Sequence, residues 1–274
     1  MYALGVLAPL ADVGTGVALG RPTPIVSLSV LVIALITRSV RSRRTGRPAA
    51  ARQHTRACTI ERVTTLTPAV VRVRIACAAE PWAPGAHIDL VLPSGKTRQY
   101  SLCGDPTDRT GYEIAVLRDD DGRGASREIH ALVAGDPVRV SAPRDNFPLV
   151  DAPAFLFVAG GIGITPFLPM IAHLEELGLP WQLIYRGRSR ATMPFAEELL
   201  HRYGARVSVL PADTTPRPDL ARLVADQPDG TAVYCCGPAS LAEAWPNRPD
   251  PHCISNVSPR PNATTHPPPS STCT

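Results

Sequence analysis

Several common features are missing from this 274-residue chain. Its N-terminal apolar run, Pro24 to Thr37, falls short of the about 20 residues that a membrane-spanning helix needs, and counting back to Gly20 brings Arg21 into the run. A secretory signal would carry its positive charge before the apolar run and a small-residue cleavage site after it, whereas here the arginines follow. The seven cysteines show no zinc spacing and no secretory disulfide framework, which fits a reducing cytoplasm. Acidic residues are absent between Arg38 and Arg56, a stretch that also holds Arg41, Arg43, Arg44, Arg47 and Arg52. Beyond it the charges nearly balance, so the net charge of +4 belongs to a basic arm, and the body carries no signature of a nucleic-acid partner. Residues 1–54 are therefore expected to be an apolar and basic extension outside the core. A membrane contact through residues 24–37 is open but not favoured.

From Arg56 onward the pattern is orderly. Arg56–Thr65 and Val70–Cys77 alternate apolar and polar residues, the period of a half-buried strand. Ala86–Leu92, Arg98–Cys103, Tyr112–Leu117 and Val138–Ala142 add short strands, separated by turn signals such as Pro84-Gly85 and Gly135-Asp136-Pro137. One helix is predicted over Ser126–Val133. Several antiparallel strands with one helix predict a small β-barrel over residues 55–150. After Pro153 strands alternate with helices, which predicts an α/β domain with a parallel sheet over residues 151–245. Pro246 to Thr274 is rich in proline, serine and threonine without periodicity, and is expected to be a disordered tail.

Five segments carry chemistry. Arg98-Gln99-Tyr100-Ser101 lies on a predicted strand and offers a cation, an aromatic wall and a hydroxyl. Gly122-Arg123-Gly124-Ala125-Ser126 runs into the predicted helix, where small residues and unpaired N–H groups suit a phosphate, although a plain capped helix explains the same residues. Gly160-Gly161-Ile162-Gly163-Ile164-Thr165-Pro166 follows a strand and opens a helix, the context of a nucleotide-phosphate loop. Crowding at Gly160 is expected to block such binding. Tyr185-Arg186-Gly187-Arg188-Ser189-Arg190 ends a strand where an adenosine ribose would lie, and its arginines could grip a 2′-phosphate. Cys235-Cys236-Gly237-Pro238 ends another strand over the ligand crevice of such a sheet.

In this order and spacing the segments resemble the phthalate dioxygenase reductase and vanillate demethylase reductase family of the ferredoxin–NADP reductase superfamily, from about Arg56 to Trp245. The resemblance implies a flavin-dependent NAD(P)H oxidoreductase, the reductase component of an oxygenase-type electron-transfer system. It implies flavin contacts at Arg98, Tyr100 and Ser101, with Ser101 near the reacting edge of the ring, and phosphate contacts at Arg123, Gly124 and Ser126. It implies dinucleotide contacts at Gly160, Gly161, Gly163, Thr165, Ser189, Arg190, Gly237 and Pro238, with Cys236 facing the nicotinamide. Ala125 departs from the family, which usually has glycine there. Pro143–Leu149 resembles the segment closing the barrel beneath the flavin. The short connection from Cys103 to Gly111 favours FMN over FAD, and either NADH or NADPH remains open as donor. No metal site is expected, because the C-x4-C-x2-C spacing of the family's [2Fe–2S] domain is missing. Plausible codons for Pro251–Val257, read in another frame, spell a peptide resembling the family's linker into that domain, so a frame-shifted tail is expected. The alternative is a truncated non-catalytic remnant, or a membrane-tethered nucleotide-binding module.

Overall fold

The computed structural model of the chain describes residues 54–238, 241 and 253–258. The readings for the N-terminal apolar run, the arginine cluster up to Arg52 and most of residues 246–274 lie outside the described residues. Among the described residues no helix is long and apolar enough to cross a membrane.

The first lobe is an antiparallel sheet. Its strands are β1 (Thr55–Thr67), β2 (Val70–Ala76), β3 (Ala86–Val91), β4 (Thr97–Ser101), β5 (Gly111–Leu117), β6 (Pro137–Ser141) and the short β7 (Arg144–Asp145). They lie in the order β4-β3-β6-β1-β2-β5, with β7 paired to β3. Alternation sets the inward face: on β2, Val71, Val73 and Ile75 are buried while Arg72 and Arg74 between them are half-buried. The sheet curls until its two ends meet, where the Cys103 N–H just past β4 donates to the Glu113 carbonyl on β5 at 2.9 Å. Ile60, Val73, Ile88, Leu90, Ile114 and Val140 fill the interior, and Ile129 of the helix Ala125–His130 covers one end.

Two details differ from the sequence reading. The helix stops at His130 rather than Val133, because the chain turns there and the Asp136 carboxylate accepts from the Val133 N–H at 2.8 Å. The segment after β6 contains β7, which pairs Ala86 with Asp145 and His87 with Arg144. Arg144 then reaches Asp89 at 2.7 Å and the Ser141 hydroxyl at 3.1 Å.

The second lobe is a parallel sheet of β8 (Phe155–Gly160), β9 (Trp181–Gly187), β10 (Val207–Pro211), β11 (Ala232–Pro238) and β12 (Cys253–Ser258), in the order β10-β9-β8-β11-β12. The connecting helices include Phe167–Leu177, Ala196–Tyr203 and Leu220–Ala225. Central β8 is buried along its whole length, which is why it reads as the unbroken apolar run FLFVAG. β12 is a correction to the expected tail. Residues 253–258 pair in parallel with β11, from Val233 opposite Cys253 to Pro238 opposite Ser258. The outer edge of β11 presents unpaired N–H and C=O groups, and a ladder on that edge needs extended backbone more than any side-chain pattern. Composition does not register such a strand.

Several contacts among the described residues join the lobes, these among them. The fully buried Tyr234 on β11 accepts a hydrogen bond from the Val150 N–H at 2.7 Å and donates one to the Pro148 carbonyl at 2.8 Å, clamping the connecting segment. Phe147 packs edge-on against the same ring, with centroids 5.4 Å apart. The guanidinium of Arg72 on β2 lies 5.0 Å from the ring centroid of Phe195, whose left-handed backbone (φ +64°) costs a bulky residue about 1–2 kcal/mol.

Candidate active site

In a parallel sheet of this order the chain leaves β8 in one direction and returns to β11 on its other side, so a crevice opens past the carboxyl ends of those two strands. The barrel strands β3 and β4 close the facing wall. Between them lies a cleft of about 1190 Å³. From the barrel side it is lined by His87, Gln99, Tyr100 and Ser101, and from the sheet side by Gly160, Gly161, Gly163, Thr165, Cys236, Gly237 and Pro238. Residues from four of the five motif segments thus share one space, since Arg186, Gly187 and Arg188 also line it.

The glycines of the loop after β8 serve different purposes. A Cβ at Gly160 would stand 2.8 Å from Pro238 Cδ and 3.1 Å from Leu241, and one at Gly163 only 2.2 Å from the Cys236 carbonyl oxygen. Both are glycine so that the loop can lie against the end of β11. The crowding expected at Gly160 is therefore with the protein's own chain. Gly161 is different: its φ is +54° and nothing lies within 4 Å of where a Cβ would be. A loop with an empty cradle at Gly161 fits the close approach of a dinucleotide phosphate. Tyr185 steadies it, its hydroxyl lying 3.1 Å from the Gly161 carbonyl and 3.0 Å from that of Pro194. Thr165 is buried and its hydroxyl donates to the Ile162 carbonyl at 3.0 Å, closing the turn into the helix.

On the barrel wall, register places Ser101 opposite His87 and Tyr100 opposite Ile88. Burial pushes the Tyr100 phenol up to about 12, so it is neutral and offers an uncharged ring face. His87 is buried, and burial followed by the nearby Arg144 charge holds its imidazole below the usual value and therefore neutral. Its Nε2 has no hydrogen-bond partner among the described residues. An apolar ring wall with a hydroxyl and an unsatisfied imidazole fits a large, flat, polar-edged ligand such as a flavin.

Burial also pushes the Cys236 thiol up to about 12. A raised thiol value means the neutral form persists well past pH 9, so Cys236 is neither base nor nucleophile at neutral pH. The pH profile of nicotinamide oxidation is expected to show no inflection from Cys236 between pH 7 and 9. A break in that range that vanishes in Cys236→Ala would contradict this assignment.

The other motif residues are not drawn into the cleft. Arg98, Arg123, Gly124 and Ser126 are absent from its walls. Arg98 donates to the Thr97 carbonyl at 2.7 Å, and Ser126 exchanges hydrogen bonds with the Asp119 backbone at 3.0 and 3.3 Å. Ser189 caps a short turn with Thr192, and Arg190 is drawn to Glu197 at 2.7 Å, which takes both off the cleft. The arginines that line it are instead Arg186, Arg188 and Arg217. Arg186 ties β9 to the loop after β10 through the Pro216 carbonyl at 3.1 Å. Arg217 carries no motif signal, since only the return of the chain after β10 brings it there. His87 could have been noticed as the one histidine inside the apolar strand segment Ala86–Leu92.

No family model matches the chain. Relatives are nevertheless plain. The chain is 46% identical over 168 residues to the phenoxybenzoate dioxygenase subunit beta of Ectopseudomonas oleovorans, covering 60% of this chain and 52% of that protein. It is 43% identical over 166 residues to the phthalate 4,5-dioxygenase oxygenase reductase subunit of Pseudomonas putida, covering 58% of this chain and 51% of that one. The chain thus spans about half the length of the curated relatives it matches. Among solved structures, phthalate dioxygenase reductase, described as modular for electron transfer from pyridine nucleotides to [2Fe–2S], superposes with a TM-score of 0.69 at 31% identity, over 74% of this chain and 68% of that one.

Proposed function

Because the chain belongs to the phthalate dioxygenase reductase family of the ferredoxin–NADP reductase superfamily, we propose that it is an NAD(P)H-dependent flavin oxidoreductase acting as the reductase of an oxygenase-type system. One observation carries the reading. A single cleft places the aromatic and hydroxyl wall of Tyr100 and Ser101 across from the loop of Gly161 and the Cys236 end of β11.

A bound flavin would supply acceptance of one hydride, with its pair of electrons, and their onward release one at a time. The protein's own residues do the rest. Tyr100, neutral and half-buried, walls the ring without adding charge. Ser101 offers a hydroxyl beside it, able to donate toward charge that develops during transfer. The Gly161 loop and the amide end of the following helix receive the dinucleotide phosphates. Cys236, small and protonated, leaves room for a nicotinamide ring and does not compete for hydride.

FMN is the proposed flavin. The connection after β4 is short, and its residues are folded on themselves by the Asp105 and Asp108 carboxylates, which accept from the Thr107 and Thr110 N–H groups at 2.7 Å each. That leaves little chain to hold an adenine. Either NADH or NADPH fits this reading, with Arg188 and Arg217 lining the cleft at the proposed adenosine end. The proposed partner is an oxygenase component fed by this reductase.

Anaerobic titration of the purified chain with NADH, watched at the flavin absorption band, tests the proposal. Bleaching at one equivalent is expected. A colourless protein that neither FMN nor FAD restores would leave a fold without its chemistry.

A further inference from the structure

The barrel holds a second pair of reactive groups, remote from the chemistry of the cleft. β1 and β2 run antiparallel and their ladder ends at Thr59 opposite Ala76, with Cys58 and Cys77 the residues one step beyond that pair. Continued by that one step, the register would set their Cα atoms about 4.5–5.5 Å apart, inside the range of about 4.4–6.8 Å that a disulfide spans. The two side chains pack in one cluster, the Cys58 thiol donating to the Arg56 carbonyl at 3.8 Å, and both are free thiols. Neither lines the cleft.

We propose that Cys58 and Cys77 are a peroxide-sensitive modification site that closes reversibly into a disulfide across β1 and β2. The pair is asymmetric in the way such a site requires. Cys77 is half-buried and so reachable, whereas Cys58 is buried behind it. The neighbouring Cys58 side chain, then the charges of Arg56 and Arg74, hold the Cys77 thiol below its usual value against the opposing effect of burial. Those arginines also serve Glu80 on one side and Glu61 and Asp108 on the other, which fixes them beside the pair.

The oxidant is hydrogen peroxide. The Cys77 thiolate attacks one peroxide oxygen, the O–O bond breaks, and a sulfenic acid and one water result once the leaving oxygen takes a proton. The Cys58 sulfur then attacks the sulfenic sulfur. The S–O bond breaks, the S–S bond forms, and the hydroxyl leaves with the Cys58 proton as a second water. Two thiols lose two electrons and two protons, and one peroxide becomes two waters.

Cys103, Cys235 and Cys236 do not meet these conditions. Cys103 and Cys235 are buried, and Cys235 and Cys236 are chain neighbours, whose pairing is strained.

The test uses the full chain, reduced, desalted and treated with stoichiometric hydrogen peroxide without any nicotinamide, so it is independent of the reading of the cleft. Remaining thiols are alkylated and the protein is mapped under non-reducing conditions. A linked pair of peptides carrying Cys58 and Cys77, released by dithiothreitol, is the expected result. In Cys58→Ser, Cys77 is expected to halt as a dimedone-reactive sulfenic acid, and in Cys77→Ser, Cys58 is expected to stay reduced. Should Cys58→Ser misfold, the wild-type map decides alone. Recovery of both cysteines alkylated, a link between other cysteines, or overoxidation of Cys77 without a link would overturn the proposal.

Discussion

Gly163→Ala is expected to cost the second lobe much of its stability and to remove nicotinamide oxidation with it. A methyl at 163 would stand 2.2 Å from the Cys236 carbonyl oxygen, 2.5 Å from its carbonyl carbon and 2.8 Å from the Gly237 nitrogen. All three are backbone atoms of β11, which is held in place by pairing to β8 on one side and β12 on the other. No rotamer change can relieve the contact, so either the loop lifts from the strand end or the sheet parts. Overpacking costs about 1–3 kcal/mol even where side chains can yield, and more is expected where only backbone is available. That is a large share of the about 5–15 kcal/mol by which domains are stable. Gly161→Ala is the control. Its left-handed backbone exacts about 1–2 kcal/mol of strain, but its methyl meets nothing. Urea unfolding is expected to show a large loss of midpoint for Gly163→Ala and a small one for Gly161→Ala. The latter is expected to stay folded and to bind the dinucleotide more weakly, with its methyl in the phosphate cradle. Equal stability of the two variants would show that the loop does not depend on its contact with β11.

These glycines also show how far the sequence can be read. Gly160-Gly161-Ile162-Gly163 is legible as a strand-to-helix loop because its flanks are a buried apolar run and a proline at the head of a helix. What each glycine is for is not legible, because the atoms that forbid a side chain at 160 and 163 belong to residues 236–241, more than seventy positions away. The barrel strands were legible for a local reason: alternation on β2, or in the β3 segment, is a property of consecutive residues. β12 was not, since its ladder is fixed by a vacant strand edge rather than by its own composition. Likewise the row of arginines after β9 announced a cationic end to the cleft. Which of them faces it was decided by Glu197 on a helix, which draws Arg190 away while Arg188 remains on the wall. Charge type is a sequence property, and charge direction depends on tertiary partners.

Tyr234 ties that tertiary level to the reaction. Its hydroxyl serves both Val150 and Pro148 in the segment between the lobes, and its ring is fully buried against Phe147, Phe155 and Phe157. Tyr234→Phe keeps the ring and removes only the clamp, leaving a part-buried N–H and a carbonyl to find other partners at about 1–3 kcal/mol. Tyr234→Ala also empties the ring's place, which adds about 3–5 kcal/mol and brings the loss close to the whole stability of a domain. The Ala variant is therefore expected to be recovered largely unfolded, and the Phe variant folded but with a lower urea midpoint. The functional consequence follows from the position of the clamp. The residues proposed for the dinucleotide sit on one lobe and those proposed for the flavin on the other, so the distance across which hydride would pass depends on how the lobes are held. A misplacement of about 1 Å at a reacting pair can cost about 100-fold in rate. Stopped-flow reduction by NADH is expected to slow markedly in Tyr234→Phe, while NADH affinity stays near that of the wild type, because the Gly161 loop is untouched. Wild-type reduction kinetics in a variant whose midpoint has fallen would separate stability from lobe geometry, and would make the clamp structural alone.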